Sequence, residues 1–294
     1  MMEGAIQIVG NALIVLAVCK NRKLHAKEYL LPAALAVGDL LMGLGNFTAG
    51  IRGFSMTLTL QYSKTTTRLD CLMKAHSSFY VIGGLSVSGF LMLISCDRLI
   101  ACGSIQLYTR LRKFHILIAI AVTSFAVMLF YALAWITTLD HQLLNEVGNA
   151  CLTVWALTDN MATAWVLLQL IGSSVSVLIY GTAMILLHLK AEVPLPSVLE
   201  IRKERQAKVT KMLLLVVLCT LLLQTIPFTV FVIAFYYGSN GAQTIAIPIM
   251  WGLINANSAN NVFIYIFKNR KMRNGIRCIV CGLSIKAKQR QVRE

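Results

Sequence analysis

The chain has 294 residues, of which 57% are hydrophobic and only 13% charged, and its formal net charge is +15. Soluble domains carry roughly 25% charged residues, so the composition excludes an ordinary soluble globule. The basic excess alone would suit a nucleic-acid binder, but the Lys and Arg residues cluster between long apolar runs, which excludes that class too.

Seven apolar runs occupy residues 4–19, 29–51, 73–97, 114–138, 161–189, 209–237 and 243–267. Most exceed the roughly 17–25 residues that cross a bilayer as a helix. A spanning segment in lipid must satisfy its own backbone groups, which favours helices. The expected fold is an all-α membrane protein, a seven-transmembrane helix bundle. Residues 1–267 would form the bundle, and 268–294 a cytoplasmic amphipathic helix and basic tail.

The first run is the shortest, roughly 27 Å as a helix from Met2 to Cys19. It lacks the charged n-region and small-residue cleavage site of a signal peptide. It carries Asn11 and is followed by Lys20, Arg22, Lys23 and Lys27. The second run holds Asp39, about ten residues from its inner boundary, and a sequon, Asn46-Phe47-Thr48. That acceptor lies inside an apolar run, so it is expected to stay unused, because glycosylation needs an exposed loop.

Between Cys71 and Cys96 the only charged residue is Lys74, and the third run then ends on Asp97-Arg98. Charges at the edge of hydrocarbon are costly and mark function by default. The fifth run is followed by a loop with Pro194 and Pro196, which should end the helix, and by the charged stretch 200–205. The charge pattern allows that stretch to be either a helical extension into the sixth run or a solvated turn. The sixth run contains one proline, Pro227, which should kink the helix. The seventh run carries Asn255, Asn257, Ser258, Asn260 and Asn261. After it, basic residues from Lys268 to Arg277 interleave with Phe267, Met272 and Ile276, which reads as an amphipathic helix lying on the inner leaflet. Cys278 and Cys281 follow as palmitoylation candidates.

Of the 27 Lys and Arg, all but Arg52, Lys64, Arg68 and Lys74 fall on one side of the runs. The positive-inside rule puts that side in the cytoplasm, hence the N-terminus outside and the C-terminus inside, at the cell membrane. Cys71 and Cys151 are then the cysteines facing the oxidising exterior, and the compartment predicts that they pair.

Asn11, Asp39, Asn257, Ser258 and Asn261 are expensive inside a membrane unless they satisfy one another. Asn257 and Asn261 are four residues apart and share a helix face. One polar cluster of these five side chains is the favoured arrangement. The alternative is several independent interhelical hydrogen bonds.

In this order the motifs resemble those of a rhodopsin-like (family A) G-protein-coupled receptor, and the chain is most similar to the nematode Srsx serpentine receptor class. Gly10-Asn11 matches the first-helix motif and Leu35-Ala36 with Asp39 the second. Cys71 matches the third-helix disulfide cysteine, and Asp97-Arg98-Leu99 stands where the family has D-R-Y. Pro227 matches the sixth-helix proline, and Asn261-Val262 with Tyr265 stands where the family has N-P-x-x-Y. The departures are Leu99 for Tyr, Val262 for Pro, Thr225 for the usual Trp, and 27 residues between Cys71 and Arg98, two more than usual. Ala207 stands where many relatives carry an acid that locks Arg98, although Glu204 is near, so Arg98 is expected to be held mainly by Asp97.

The resemblance implies an extracellular ligand, a heterotrimeric G protein and a moving sixth helix, with Asp97, Arg98, Tyr265, Asn261 and Pro227 as the switch. It allows a sodium ion in the polar core; no other cofactor is expected. The ligand pocket would include Tyr80, Gly84, Phe228, Val232, Trp251 and Asn255. Tyr80 stands near the acid that binds amines in relatives, which disfavours an amine, since a buried ammonium needs a counter-ion. The aromatic, nearly uncharged lining suggests a peptide, a neutral small molecule or another chemosensory cue.

Rival classes lack their marks. A retinal-binding protein needs a lysine in the seventh run, which has none. A transporter, the alternative reading, would show internal symmetry and broken helices. His76, His115, His141 and His188 match no enzyme motif.

Overall fold

The structure is a computed structural model that describes residues 1–59, 65–140, 146–149, 151–189, 209–210, 213–237 and 240–280. Pro194, Pro196, the stretch 200–205, Ala207, Cys281 and the basic tail lie outside the described residues.

The described elements in chain order are α1 (Met2–Lys20), α2 (Lys27–Leu58), β1 (Thr65–Thr67), α3 (Arg68–Met73), α4 (Ala75–Gly103), α5 (Ile105–Arg110), α6 (Lys113–Asp140), β2 (Glu146–Gly148), α7 (Thr153–Ala156), α8 (Asp159–Leu189), α9 (213–237), α10 (Asn240–Lys268) and α11 (Arg270–Val280). Among the described residues, six helices are long and apolar enough to cross a membrane: α1, α2, α4, α6, α8 and, within α9, Leu213–Ala234. The protein is therefore a multi-pass membrane protein.

The exposure pattern is that of lipid solvent. α6 buries only Ile116, Val127, Ala134 and Thr138, while Phe125 is 69% exposed and Val122 62%. In water such surface would cost about 25 cal/mol for every Å² left uncovered; against acyl chains it costs nothing. The interior is built around α4, which packs on α2, α6 and α8, while α1 packs on α2 and α10. Gly10 lets α1 approach α10 closely: a Cβ there would lie 2.5 Å from Cγ1 of Val262.

At one end, β1 and β2 form an antiparallel pair with Thr66 opposite Val147. Thr67 caps α3, its side chain accepting from the Asp70 amide. Cys71 of α3 forms a disulfide with Cys151. Closing a loop across 80 residues stabilises the fold by about 4 kcal/mol in the chain-entropy account. Cys71 is not on the helix of Arg98. Lys74 adopts an extended conformation (φ −71°, ψ 131°) between α3 and α4, and this break takes up the longer Cys71–Arg98 spacing.

α9 departs from the expected simple kink. Residues 221–225 are π-helical, and the Ile226 amide bonds to the Leu221 carbonyl, five residues back. Pro227 has no amide hydrogen, and its ring crowds the carbonyl four residues earlier. Widening the preceding turn relieves that conflict. α10, with Val262 in place of proline, is one uninterrupted helix over Asn240–Lys268.

α11 begins at a cap, the Asn269 side chain accepting from the Met272 amide at 3.1 Å. Met272 and Ile276, four apart, are buried. Gly275 is the close-approach point, where a Cβ would meet Leu24 at 3.1 Å and Ala17 at 3.5 Å. Arg270, Lys271 and Arg277 remain outside this contact, half-buried or exposed.

Candidate functional site

Three polar assemblies line the interior, joined by α2 and α4. The first lies beneath a cavity of about 210 Å³. One face of α2, read at helical spacing through Ala49, Arg52, Gly53 and Met56, forms one wall. His76 and Tyr80 of α4, the Cys151–Thr153 segment and Trp251 of α10 form the others.

Arg52 is fixed by its neighbours. Its Nη2 donates to the Asn149 carbonyl at 2.8 Å and to Asn149 Oδ1 at 2.7 Å. His76 Nε2 lies 3.1 Å from the Cys151 carbonyl oxygen. The lining therefore carries charge, which the expectation of a nearly uncharged pocket missed. Arg52 stands just past the end of the second apolar run in the sequence, yet α2 runs on to Leu58 and holds it on the face that lines the cavity.

Below the cavity, Tyr80 OH donates to Asn46 Oδ1 at 2.5 Å. Asn46 Nδ2 reaches Gln7 Oε1 at 2.8 Å and Asn255 Oδ1 at 2.5 Å. Gln7 Nε2 donates to the Asn255 carbonyl at 2.8 Å. Four helices meet in this knot, and Tyr80 stacks at a tilt on Trp251, centroids 4.8 Å apart. Gln7 was not singled out from the sequence, and Asn46 was read there only as a sequon; its 8% exposure accords with an unused acceptor. A smaller, nearly closed cleft of about 10 Å³ shares Leu152 and Trp251 with the cavity and is lined by Trp165, Phe228 and Phe231.

The expected pocket residues thus separate. Tyr80 and Trp251 line the cavity, and Phe228 the cleft. Asn255 is committed to Gln7 and Asn46. Gly84 instead admits Gln169 of α8, whose Oε1 would lie 2.6 Å from a Cβ there. Val232 packs half-buried against the core and lines neither space.

The middle assembly surrounds Asp39, which is 1% exposed. Asn261 Nδ2 donates to Asp39 Oδ2 at 3.1 Å, and Ser258 lies close enough to interact with the same carboxylate. The five-residue cluster does not form as one unit. Asn11 turns to the Gln7 carbonyl one helical turn back, at 3.0 Å, because that acceptor is nearest. Asn257 Nδ2 reaches Gln224 Oε1 in the π-helical turn at 3.0 Å. Asn257 Oδ1, Ser258 Oγ and Asn261 Oδ1 are buried without hydrogen-bond partners among the described residues. One carboxylate with unpartnered neutral oxygens is the donor chemistry that hard cations take, so Asp39, Ser258 and Asn261 fit a sodium ion.

The third assembly, at the opposite end of α4 from Tyr80, is built on Arg98, 1% exposed. Arg98 Nε and Nη2 both donate to Asp97 Oδ2, the former at 3.0 Å. Arg98 Nη2 also donates to Tyr108 OH at 3.2 Å. Tyr108 rides on α5, a short helix whose cap is Ser104. Burial pushes the Tyr108 phenol up to about 12, against the lowering pull of Arg98, so it remains neutral. Lys27, at the start of α2, sits 3.6 Å from the centre of the Tyr108 ring and donates to the carbonyls of Tyr108 and Leu111, the latter at 3.0 Å. Tyr180 OH donates to the Thr210 carbonyl. Tyr265 is buried, and its hydroxyl has no hydrogen-bond partner among the described residues. Both tyrosines lie within electrostatic reach of Arg98.

Apolar helices outside, a disulfide-anchored cavity at one end and a buried ion pair at the other are the features of a multi-pass, receptor-type membrane protein. The family described as serpentine type 7TM GPCR chemoreceptor Srsx matches residues 5–280. The chain belongs to that family, whose members are classed as chemoreceptors and not as enzymes.

Proposed function

We propose that this protein is a cell-surface receptor that binds an extracellular chemosensory ligand in the outer cavity and activates a heterotrimeric G protein at the inner end. α10 is then the seventh span, the N-terminus lies outside, and residues 1–267 form the signalling bundle. α11 and the basic tail lie in the cytoplasm against the inner leaflet, where Cys278 and Cys281 are in reach of palmitoylation.

One observation carries this reading. α4 presents Tyr80 to the cavity and Asp97–Arg98 to the inner face, 17 residues or roughly 26 Å apart on one helix. A ligand shifts the receptor only if it binds the active bundle better than the inactive one. Phe228 in the outer cleft adjoins Pro227, so a ligand there bears on the π-helical turn of α9. Displacement of α9 about that turn opens the inner end. Arg98 then leaves Asp97 and Tyr108 for the G protein, and Tyr265, whose hydroxyl has no partner among the described residues, supplies a new one.

Asp39, Ser258 and Asn261 would hold a sodium ion, which supplies a counter-charge to the buried carboxylate. Among these residues, Asn261 holds the Asp39 carboxylate directly. Arg98→Ala is expected to abolish G-protein dissociation and Asp97→Asn to raise it in the absence of ligand. A normal response from Arg98→Ala would refute the mechanism.

A further inference from the structure

The outer cavity has one chemical feature that its apolar walls do not require, a fixed cation. Arg52 projects into it with two Nη2 bonds to Asn149, and among the described residues its Nε has no hydrogen-bond partner. Among the described residues no carboxylate pairs with this guanidinium; the ion pairs there are Arg68–Asp159 and Arg98–Asp97. His76 faces the same space and lies within electrostatic reach of both Arg52 and Lys74. A buried donor left unmet is costly, and a cation in a low-dielectric cleft attracts an anion strongly. Arginine is suited to carboxylates because its planar fork can meet two oxygens.

From these observations we infer that the ligand is a small organic carboxylate, its anionic end held by Arg52 beside His76 and its apolar end directed along Trp251 towards Phe228. This deepens the proposed receptor reading and rests on it for the consequence of binding, not for binding itself. The volume limits the ligand. At about 30 Å³ for each water-sized group, the 210 Å³ cavity accommodates about seven non-hydrogen groups. A four- or five-carbon acid meets that limit. A longer tail must open the cleft lined by Phe228 and Phe231, and so presses on the helix that carries Pro227.

The test uses the full-length protein, purified into lipid nanodiscs, with thermal unfolding and direct binding measured for straight-chain acids from propanoate to octanoate and for their amides and alcohols. Pentanoate should bind about tenfold more tightly than pentanamide, the factor expected from one charge-assisted hydrogen bond. Arg52→Gln should erase that preference, and Arg52→Lys should keep a weaker form of it. The ligand-free unfolding midpoint of each variant separates loss of recognition from loss of fold. Equal binding of acid and amide, a preference that survives Arg52→Gln, or no binding by any acid in the series would each overturn the inference. Acid binding without any basal signal from Asp97→Asn would instead count against G-protein coupling and leave the ligand assignment standing.

Discussion

Arg98 donates to Tyr108 at 3.2 Å, so the buried guanidinium is held from two elements, its own helix through Asp97 and the short helix α5 through Tyr108. Ala207 and Glu204, from which a second lock or its loss was argued, lie outside the described residues. Within them, the second restraint on Arg98 is a neutral phenol, steadied in turn by Lys27. Tyr108→Phe removes the hydroxyl and keeps the ring under Lys27. Basal G-protein dissociation should rise, by about tenfold if the bond contributes about 1.5 kcal/mol, the lower end of the range for a hydrogen bond to a charged group. Combined with Asp97→Asn the effects should not add, since both act on one guanidinium. Unchanged basal activity in Tyr108→Phe would remove Tyr108 from the restraint.

The π-helical turn makes a separate prediction. Pro227→Ala restores an amide hydrogen and removes the ring clash, so residues 221–225 can return to α-helical bonding. The Ile226–Leu221 bond and the Gln224–Asn257 contact would both be disturbed. The expected outcome is a more heat-stable protein that responds to agonist about tenfold less well, measured by unfolding midpoint and agonist potency side by side. A full response at normal potency would show that α9 does not pivot there.

How far the sequence disclosed this arrangement differs by element. Apolar run length marks where long helices fall, because hydrocarbon thickness constrains length directly, but α2 runs on to Leu58 and α4 to Gly103, well past the ends of their runs. Compartment predicted the Cys71–Cys151 bond. Asp97–Arg98 was legible because two charges stand at the end of an otherwise apolar run. Partner choice was not legible. Asn11, Asn257 and Asn261 look alike in sequence, but the first donates within its own helix, the second to α9 and the third to Asp39. Tyr108 and Gln7 carry no motif, and only the packing of α5 against α4 and of α1 against α2 and α10 gives them partners.

Gly10 should tolerate no side chain. A Cβ there would stand 2.5 Å and 2.9 Å from the two γ-carbons of Val262, and valine, branched at Cβ, has few alternative rotamers. Gly10→Ala should lower stability by about 1–3 kcal/mol, the range for overpacking a close contact. Val262→Ala should restore most of that loss in the double variant. No rescue would place the strain elsewhere than at this contact.

The knot around Asn46 yields the last expectation. Its amide nitrogen donates to Gln7 and Asn255, and its oxygen accepts from Tyr80. Asn46 is thus the shared partner of three side chains on α1, α4 and α10. Asn46→Ala leaves those groups buried with bonds unmade, at about 1–3 kcal/mol for each group so stranded. The lower limit applies where Gln7 and Asn255 close on each other, since they already share a bond of 2.8 Å. The variant should unfold at a clearly lower temperature, and Tyr80→Phe in the same background should recover part of the loss by removing one stranded hydroxyl. The same burial forbids a glycan: oligosaccharide on Asn46 would have to replace one of the two amide hydrogens that hold Gln7 and Asn255. Protein from a secretory host, treated with a glycosidase specific for asparagine-linked sugars, should therefore show no mass change at this peptide. A glycan found at Asn46 would require α2 to lie far closer to the membrane surface than the knot permits.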